Sequence, residues 1–312
     1  MELVFLGTGA GMPSRRRNVT SIALNLLDET GGFWLFDCGE GTQQQILQSP
    51  IRLGRTDRIF ITHLHGDHLY GLPGILTSRS YQGGEGTLTL YGPVGLRQFT
   101  ETVLTLSQAK LSYELDIVEI VEEGIIAEDE MFRVEARRLN HRIESFGYRI
   151  VEKDKEGKLD AVKLKELGVP FGPLYGALKQ GKSVTLEDGR VINSADVVGP
   201  AVPGRIVTVL GDTLKTDSAV ELARNADVLV HEATFDRSKA DMASRFHHST
   251  TEDAAQTALQ AGAQVLIMTH ISSRYGEEET EMLQQEAREI FANAFVAEDF
   301  WSYRIPYRIS ME

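Results

Sequence analysis

The densest chemistry in the chain lies in FITHLHGDHLYGLPG, residues 60–74, where His63, His65, Asp67 and His68 fall within six positions. Three of the eight histidines are spent there, beside a carboxylate. A polar turn would need none of them; a metal site would need all. Imidazole and carboxylate donors without thiolate suit zinc or manganese. His63 and His65 alternate along an extended segment, so both can face one ion. Asp67 and His68, past the glycine turn at Gly66, can swing to a second.

The other histidines follow a pattern. His141 comes after FRVEARRLN, His231 ends DVLV, His270 ends QVLIMT, and His247 and His248 precede a helix; Asp212 ends RIVTVLG. In sheet proteins ligands collect at the carboxyl ends of strands, where several side chains converge on one crevice. This placement predicts that His141, Asp212 and His270 join the cluster, and it leaves no histidine as core filler.

The elements that must position these groups are short β-branched runs alternating with glycine-rich turns and a few amphipathic helices. Strands are expected at LVFLG, SIALNLL, FWLF, RIFIT, TLTLYG, LDIVEI, FRVEARRL, SFGYRIV, RIVTVLG, DVLVHE, QVLIMTH and NAFVAED. Helices are expected at EGTQQQILQS, VGLRQFTETVLTL, SAVELARNA and EMLQQEAREIFANA. One more opens at STTEDAAQTALQAGA, with Ser249 and Glu252 as its capping box and Ala254, Ala255, Ala258 and Leu259 as its buried stripe. So many strands, with strand-rich and strand–helix stretches both present, predict two sheets sandwiched between helices.

At 312 residues, with 42% hydrophobic and 25% charged side chains, the chain can bury a sizeable core. Cys38 is the lone cysteine, which excludes an internal disulfide framework and a thiolate zinc cage. Glu2 stands where a signal peptide needs a basic residue, and the first apolar run breaks at Gly7. A cytoplasmic protein with no membrane segment is expected. The net charge of −13 argues mildly against a polyanionic partner. Local basic patches offset it: Arg15, Arg16 and Arg17, and the lysines between Lys153 and Lys182. From Glu152 to about Pro203 the chain is charged and then rich in glycine and proline, which reads as an insertion about 152–203 projecting from a single domain 1–312.

His63-x-His65-x-Asp67-His68, followed in order by His141, Asp212 and His270, resembles the metallo-β-lactamase superfamily. The resemblance covers nearly the whole chain and implies an α/β, four-layer αββα sandwich with a two-metal site at one edge. FDCGEGT resembles that superfamily's early strand–turn–helix element, in which Asp37 supports the site rather than binding metal. Finer features resemble the ribonuclease Z family of tRNA 3′-processing endonucleases: HEAT at His231–Thr234, HST at His248–Thr250, PSRRRN at Pro13–Asn18 with Arg15 where that family has lysine, GP at Gly172-Pro173 in the insertion, and AED at Ala297–Asp299.

That resemblance implies two Zn²⁺ per subunit, with Mn²⁺ as an alternative. His63, His65 and His141 would hold one ion, Asp67, His68 and His270 the other, and Asp212 would bridge them. Asp67 is the expected general base. His231, oriented and kept protonated by Glu232, is the expected acid, and His248 would touch the scissile phosphate or steady the groups behind the metal ligands. RNA contacts are implied for Arg15, Arg17 and Asn18 in the loop and for Gly172, Pro173 and Lys179 in a tRNA-gripping arm. The implied reaction removes the 3′ trailer from precursor tRNA after the discriminator nucleotide, leaving a 3′-hydroxyl on the tRNA and a 5′-phosphate on the trailer. A homodimer is implied too. The superfamily's fold does not set the substrate, and a hydrolase of small phosphodiesters or sulfate esters remains an alternative.

Overall fold

A computed structural model describes residues 1–308. It divides into two compact units, one of Met1–Val151 with Ile206–Pro306, the other of Glu152–Arg205 joined by the chain from Tyr307.

Two seven-stranded sheets build the first unit. Across the first sheet the order is Ser302–Arg304, Glu2–Gly7, Ser21–Leu26, Gly32–Phe36, Thr56–Phe60, Leu88–Gly92, Leu115–Glu119. Across the second it is Ala294–Val296, Leu266–Thr269, Val228–Glu232, Ile206–Leu210, Ser145–Glu152, Phe132–Leu139, Gly124–Glu128. Successive side chains on a strand point to opposite faces, and the core divides accordingly. Phe5, Trp34, Phe36 and Phe60 of one sheet meet Phe132, Phe146, Tyr148, Val230 and Ile267 of the other in a shared inner layer. Their neighbours Leu6, Phe33, Leu35 and Ile59 face outward onto helices Thr42–Leu47, Leu72–Tyr81 and Leu96–Leu106. On the far side Leu229, Leu266 and Met268 pack against helices Asp217–Leu222, Thr251–Ala261 and Glu277–Arg288. The result is the expected four-layer αββα sandwich.

Local expectations need several corrections. The helix after HST is capped by Thr250, whose side chain takes the Asp253 amide while the Asp253 carboxylate takes the Thr250 amide. Ser249 instead donates to the Thr213 carbonyl at 2.6 Å, so the box lies one residue later than the Ser/Glu spacing predicts. Leu259 is 56% exposed, and Ala261 completes the buried stripe. Helix Leu72–Tyr81 was not expected, although Pro73 in its first turn is an ordinary start signal.

Described by itself, the second unit carries a small core of its own. Leu164, Leu178, Ile192 and Val197 are buried together with Val169, Val184 and Leu186. At its root the Arg205 fork meets the buried Glu152 carboxylate, Nε to Oε2 at 2.7 Å and Nη2 to Oε1 at 3.0 Å.

Candidate metal centre and catalytic cleft

The site lies where strands of both sheets end. Strand Thr56–Phe60 stops two residues earlier than RIFIT suggested. The loop beyond it carries Thr62 to His65, and helix Gly66–Leu69 presents Asp67 and His68. Asp212 follows strand Ile206–Leu210, His270 follows Leu266–Thr269, and His141 follows Phe132–Leu139. Two glycines let these loops close up. A Cβ on Gly39 would lie 2.3 Å from the Asp67 carbonyl, and one on Gly211 would lie 2.6 Å from Thr62 Cβ. Asp37 and His270 hold positive φ values of 58° and 56°. Such strained backbone persists only where its surroundings over-determine it.

Asp212 Oδ2 is the centre of the arrangement. It lies 3.6 Å from His63 Nε2, 3.5 Å from His68 Nε2, 4.0 Å from His141 Nε2 and 3.3 Å from His270 Nε2. Asp67 Oδ2 lies 3.3 Å from His270 Nε2 and 3.6 Å from His68 Nε2. His65 Nδ1 is 3.2 Å from His141 Nε2, and those two with His63 form one compact group of three. Asp67, His68 and His270 form another, and His63, His68 and Asp212 a third. All seven residues expected as metal ligands therefore come together.

A ring of outer partners decides which nitrogen each imidazole offers. The His141 Nδ1–H donates to the His247 carbonyl at 2.7 Å. His68 Nδ1 lies 2.7 Å from the Asp37 carboxylate. The Thr62 hydroxyl donates to Asp37, so at 3.0 Å it accepts from His63 Nδ1. Thr234 gives its proton to Glu232 and accepts from His270 Nδ1 at 2.8 Å. Four rings thus turn Nε2 inward. His68 Nε2 and His270 Nε2 face each other at 3.2 Å, and His63 Nε2 is buried with no hydrogen-bond partner among the described residues. Burial also pushes His63 well below the ordinary imidazole pKa, which keeps it neutral. These nitrogens converging on the Asp212 and Asp67 carboxylates, with His63 unprotonated among them, fit a bound cation.

His231 does not join this group. On strand Val228–Glu232 the alternation puts Val228 and Val230 on the inner face, while Leu229 packs outward. His231 shares the outward face and is paired in register with Met268, another outward residue. It is fully buried, its Nδ1 lies 2.7 Å from the Glu232 carbonyl oxygen, and burial lowers its pKa. A neutral imidazole under the helix layer is not a protonated acid beside a phosphate, and it is a core histidine after all. The Glu232 carboxylate points the other way. Its Oε1 lies 3.1 Å from His248 Nδ1 and accepts the Thr213 amide at 3.0 Å. Burial alone would lower the His248 pKa, but the Glu232 charge and hydrogen bond, with Asp212, raise it to about 9. His248 therefore has the partner and the protonation expected of His231. His247, unassigned from sequence, supplies the carbonyl that fixes His141.

The loop residues divide as well. Arg17 is buried, donating to Thr8 Oγ1 at 2.6 Å and to the Ala297 carbonyl at 2.5 Å. Its guanidinium is an internal brace, closed off from any surface contact expected of it. Asn18 donates its amide hydrogen to Asp299 Oδ2 at 2.7 Å and its side chain to the Glu40 carbonyl. Asp299 also takes the Thr8 amide and hydroxyl, so the AED element ties down the PSRRRN loop. Arg16 pairs with Glu277 at 2.7 Å, and Arg15 is left exposed. In the second unit Gly172 precedes helix Pro173–Lys179, with Lys179 exposed at its end.

A cleft of about 370 Å³ opens onto the cluster, lined by Gly11, Asp67, Arg142, Phe246, His248 and His270 among others. No helix among the described residues is long and apolar enough to cross a membrane.

A family model described as "Anti-Pycsar protein Apyc1" matches residues 1–146. Ribonuclease Z of Geobacillus kaustophilus (strain HTA426) is 57% identical over 306 residues, covering 98% of this chain and 99% of that protein. Ribonuclease Z of Bacillus velezensis (strain DSM 23117) is 56% identical, covering 96% and 97%. The crystal structure of the short form of human tRNase Z (ELAC1) matches with a TM-score of 0.72 at 33% identity, over 98% of this chain and 100% of that one. The metallo-beta-lactamase fold protein YhfI from Bacillus subtilis matches over 97% and 98% with a TM-score of 0.68 at 17% identity, a likeness of fold. The chain belongs to the ribonuclease Z family of metallo-β-lactamase-fold enzymes.

Proposed function

We propose that the protein is a zinc-dependent endoribonuclease that removes the 3′ trailer from precursor tRNA, cutting after the discriminator nucleotide. The observation that carries this reading is the convergence of seven nitrogen and oxygen donors, Asp212 Oδ2 central among them, with His248 beside them on a buried carboxylate.

His63, His65 and His141 are the residues to hold one Zn²⁺ and Asp67, His68 and His270 a second, with Asp212 between; the same donors admit Mn²⁺. When bound, such ions polarise the phosphate oxygens and lower the pKa of water. The protein's own groups do the rest. Asp67 Oδ2 accepts the Gly11 amide at 2.7 Å and faces His270, which orients the carboxylate. Among the described residues no hydrogen bond reaches Asp67 Oδ1, and this is the atom assigned to take the attacking water's proton. His248, protonated and steered by Glu232 at Nδ1, presents Nε2–H to the departing O3′. Microscopic balance is simple: one proton leaves water for Asp67, and one leaves His248 for the 3′-hydroxyl.

The family resemblance supports the arm, Gly172, Pro173 and Lys179 included, as the part that grips the tRNA, with Arg15 and Asn18 near the cut. It also supports a cytoplasmic homodimer. Comparing a 3′-extended tRNA precursor with a chromogenic phosphodiester tests the substrate class. Preference for the precursor by orders of magnitude in kcat/KM is expected; preference for the small diester would favour the rival hydrolase.

A further inference from the structure

Several arginines of the first unit answer a carboxylate, among them Arg58 with Asp129, Arg137 with Glu221, Arg138 with Glu144 and Arg237 with Glu289. Beside the cleft two arginines stand without one. Arg142 and Arg245 are exposed, and no carboxylate among the described residues pairs with either. Arg142 Nη2 donates instead to the Arg245 carbonyl at 2.9 Å. Both guanidiniums lean on the ring of Phe246, with Cζ 5.0 and 5.7 Å from its centroid.

Phe246 is itself out of place for a core residue. It ends helix Ala240–Phe246, is 39% exposed, and lines the cleft together with Arg142, His141 and His248. In a chain of net charge −13, two unanswered positive charges around an exposed ring mark a spot where anions and flat π-surfaces are welcome. Unstacked nucleobases are recognised by stacking on aromatic rings and guanidinium planes, with the backbone phosphates held by the same cations.

We propose that Phe246, with Arg142 and Arg245, is a stacking platform for one unpaired nucleobase adjoining the scissile phosphate, the two guanidiniums meeting the neighbouring phosphates. The proposal rests on the ribonuclease reading above. It gives that reading a specificity element beyond the metal ligands: the nucleotide at the cut must leave its stack to be seated, so a single-stranded junction is cut and a base-paired one is not. Stacking reads any base, so the element imposes strandedness rather than sequence.

The test compares kcat/KM of the wild type, Phe246→Leu and Phe246→Trp on three 3′-extended tRNA precursors. One is intact, one is abasic at the discriminator and one is abasic at the first trailer nucleotide. Expected are about a tenfold fall for Phe246→Leu on the intact precursor and recovery to within about twofold for Phe246→Trp, which keeps the π-face. On the precursor lacking the stacked base, the wild type and Phe246→Leu become equal, which also identifies the nucleotide. Equal rates of wild type and Phe246→Leu on the intact precursor overturn the inference, as does the same loss on all three. A wild type that leaves the intact precursor uncut overturns the ribonuclease reading, and this inference falls with it; the former outcomes leave that reading standing.

Discussion

Glu232 Oε1 lies 3.1 Å from His248 Nδ1, and the same carboxylate holds the Thr213 amide and the Thr234 hydroxyl. One buried acid therefore orients His248 directly and His270 through Thr234, linking His248 to the histidine and aspartate cluster.

The pH dependence follows from that pair. The His248 pKa is raised to about 9, so its protonated, donating form is present below that value and lost as pH rises through it. In Glu232→Gln the imidazole returns towards its ordinary value near 6.5. The alkaline limb of kcat/KM on a precursor then moves down from about 9 towards neutrality, and an unmoved limb would detach His248 from the limb.

His231 and His248 separate by their variants. His248→Ala is expected to lower kcat by a factor of about 10²–10⁴, the range of a lost general acid. His231→Gln is expected to lower the melting temperature while keeping most of kcat, because its ring is fully buried on the strand face opposite Val230 and does not line the cleft. The reverse pattern would restore His231 as the acid.

Arg15 and Arg17 make a second contrasting pair. Arg17→Ala removes a buried guanidinium from Thr8 and the Ala297 carbonyl, and a loss of about 2–3 kcal/mol in unfolding free energy is expected. Arg15→Ala is expected to leave stability alone and to raise KM for precursor, with a shallower salt dependence. Chemical denaturation and KM at two salt concentrations distinguish the two roles.

How much of this was legible from sequence depends on the residue. The seven candidate ligands stand out because each follows an apolar run and several share one short stretch, and strand ends converge whatever the details of packing. Which of His231 and His248 faces the cleft was not legible. Both adjoin strand or helix ends, and with a side-chain period of two one residue decides which face of the sheet a group takes. Arg15, Arg16 and Arg17 look alike in a row. Only Asp299, Ala297 and Glu277, some 260–280 positions away, decide that one is exposed, one paired and one buried. The insertion was visible as a change in composition, but its core of Leu164, Leu178 and Ile192 was hidden by short elements.

At the root of the insertion, the buried Glu152–Arg205 pair holds the Glu152 carboxyl below its ordinary pKa: burial raises it, and the Arg205 hydrogen bonds and charge outweigh that. A depressed carboxyl contributes stability that is present above its unfolded value near 4.3 and is lost as pH falls through the folded one. Glu152→Gln is expected to cost about 3 kcal/mol at neutral pH, since it strands a buried guanidinium, and to remove that acid-dependent step. Hydrogen exchange across residues 152–205 reads both; unchanged protection would contradict the account.

Deleting about residues 155–195 is expected to weaken precursor binding by an order of magnitude or more while hydrolysis of a small phosphodiester continues. Equal loss of both activities would count against an RNA-gripping arm.

The most direct measurement of the central claim is end mapping. The protein is incubated with a 3′-extended tRNA precursor, with and without a chelator, and both product ends are sequenced. A single cut after the discriminator nucleotide, leaving a 3′-hydroxyl on the tRNA and a 5′-phosphate on the trailer, abolished by the chelator and restored by Zn²⁺ or Mn²⁺, is the predicted result. Stepwise trimming from the 3′ end, or cleavage that survives thorough metal removal, would contradict it.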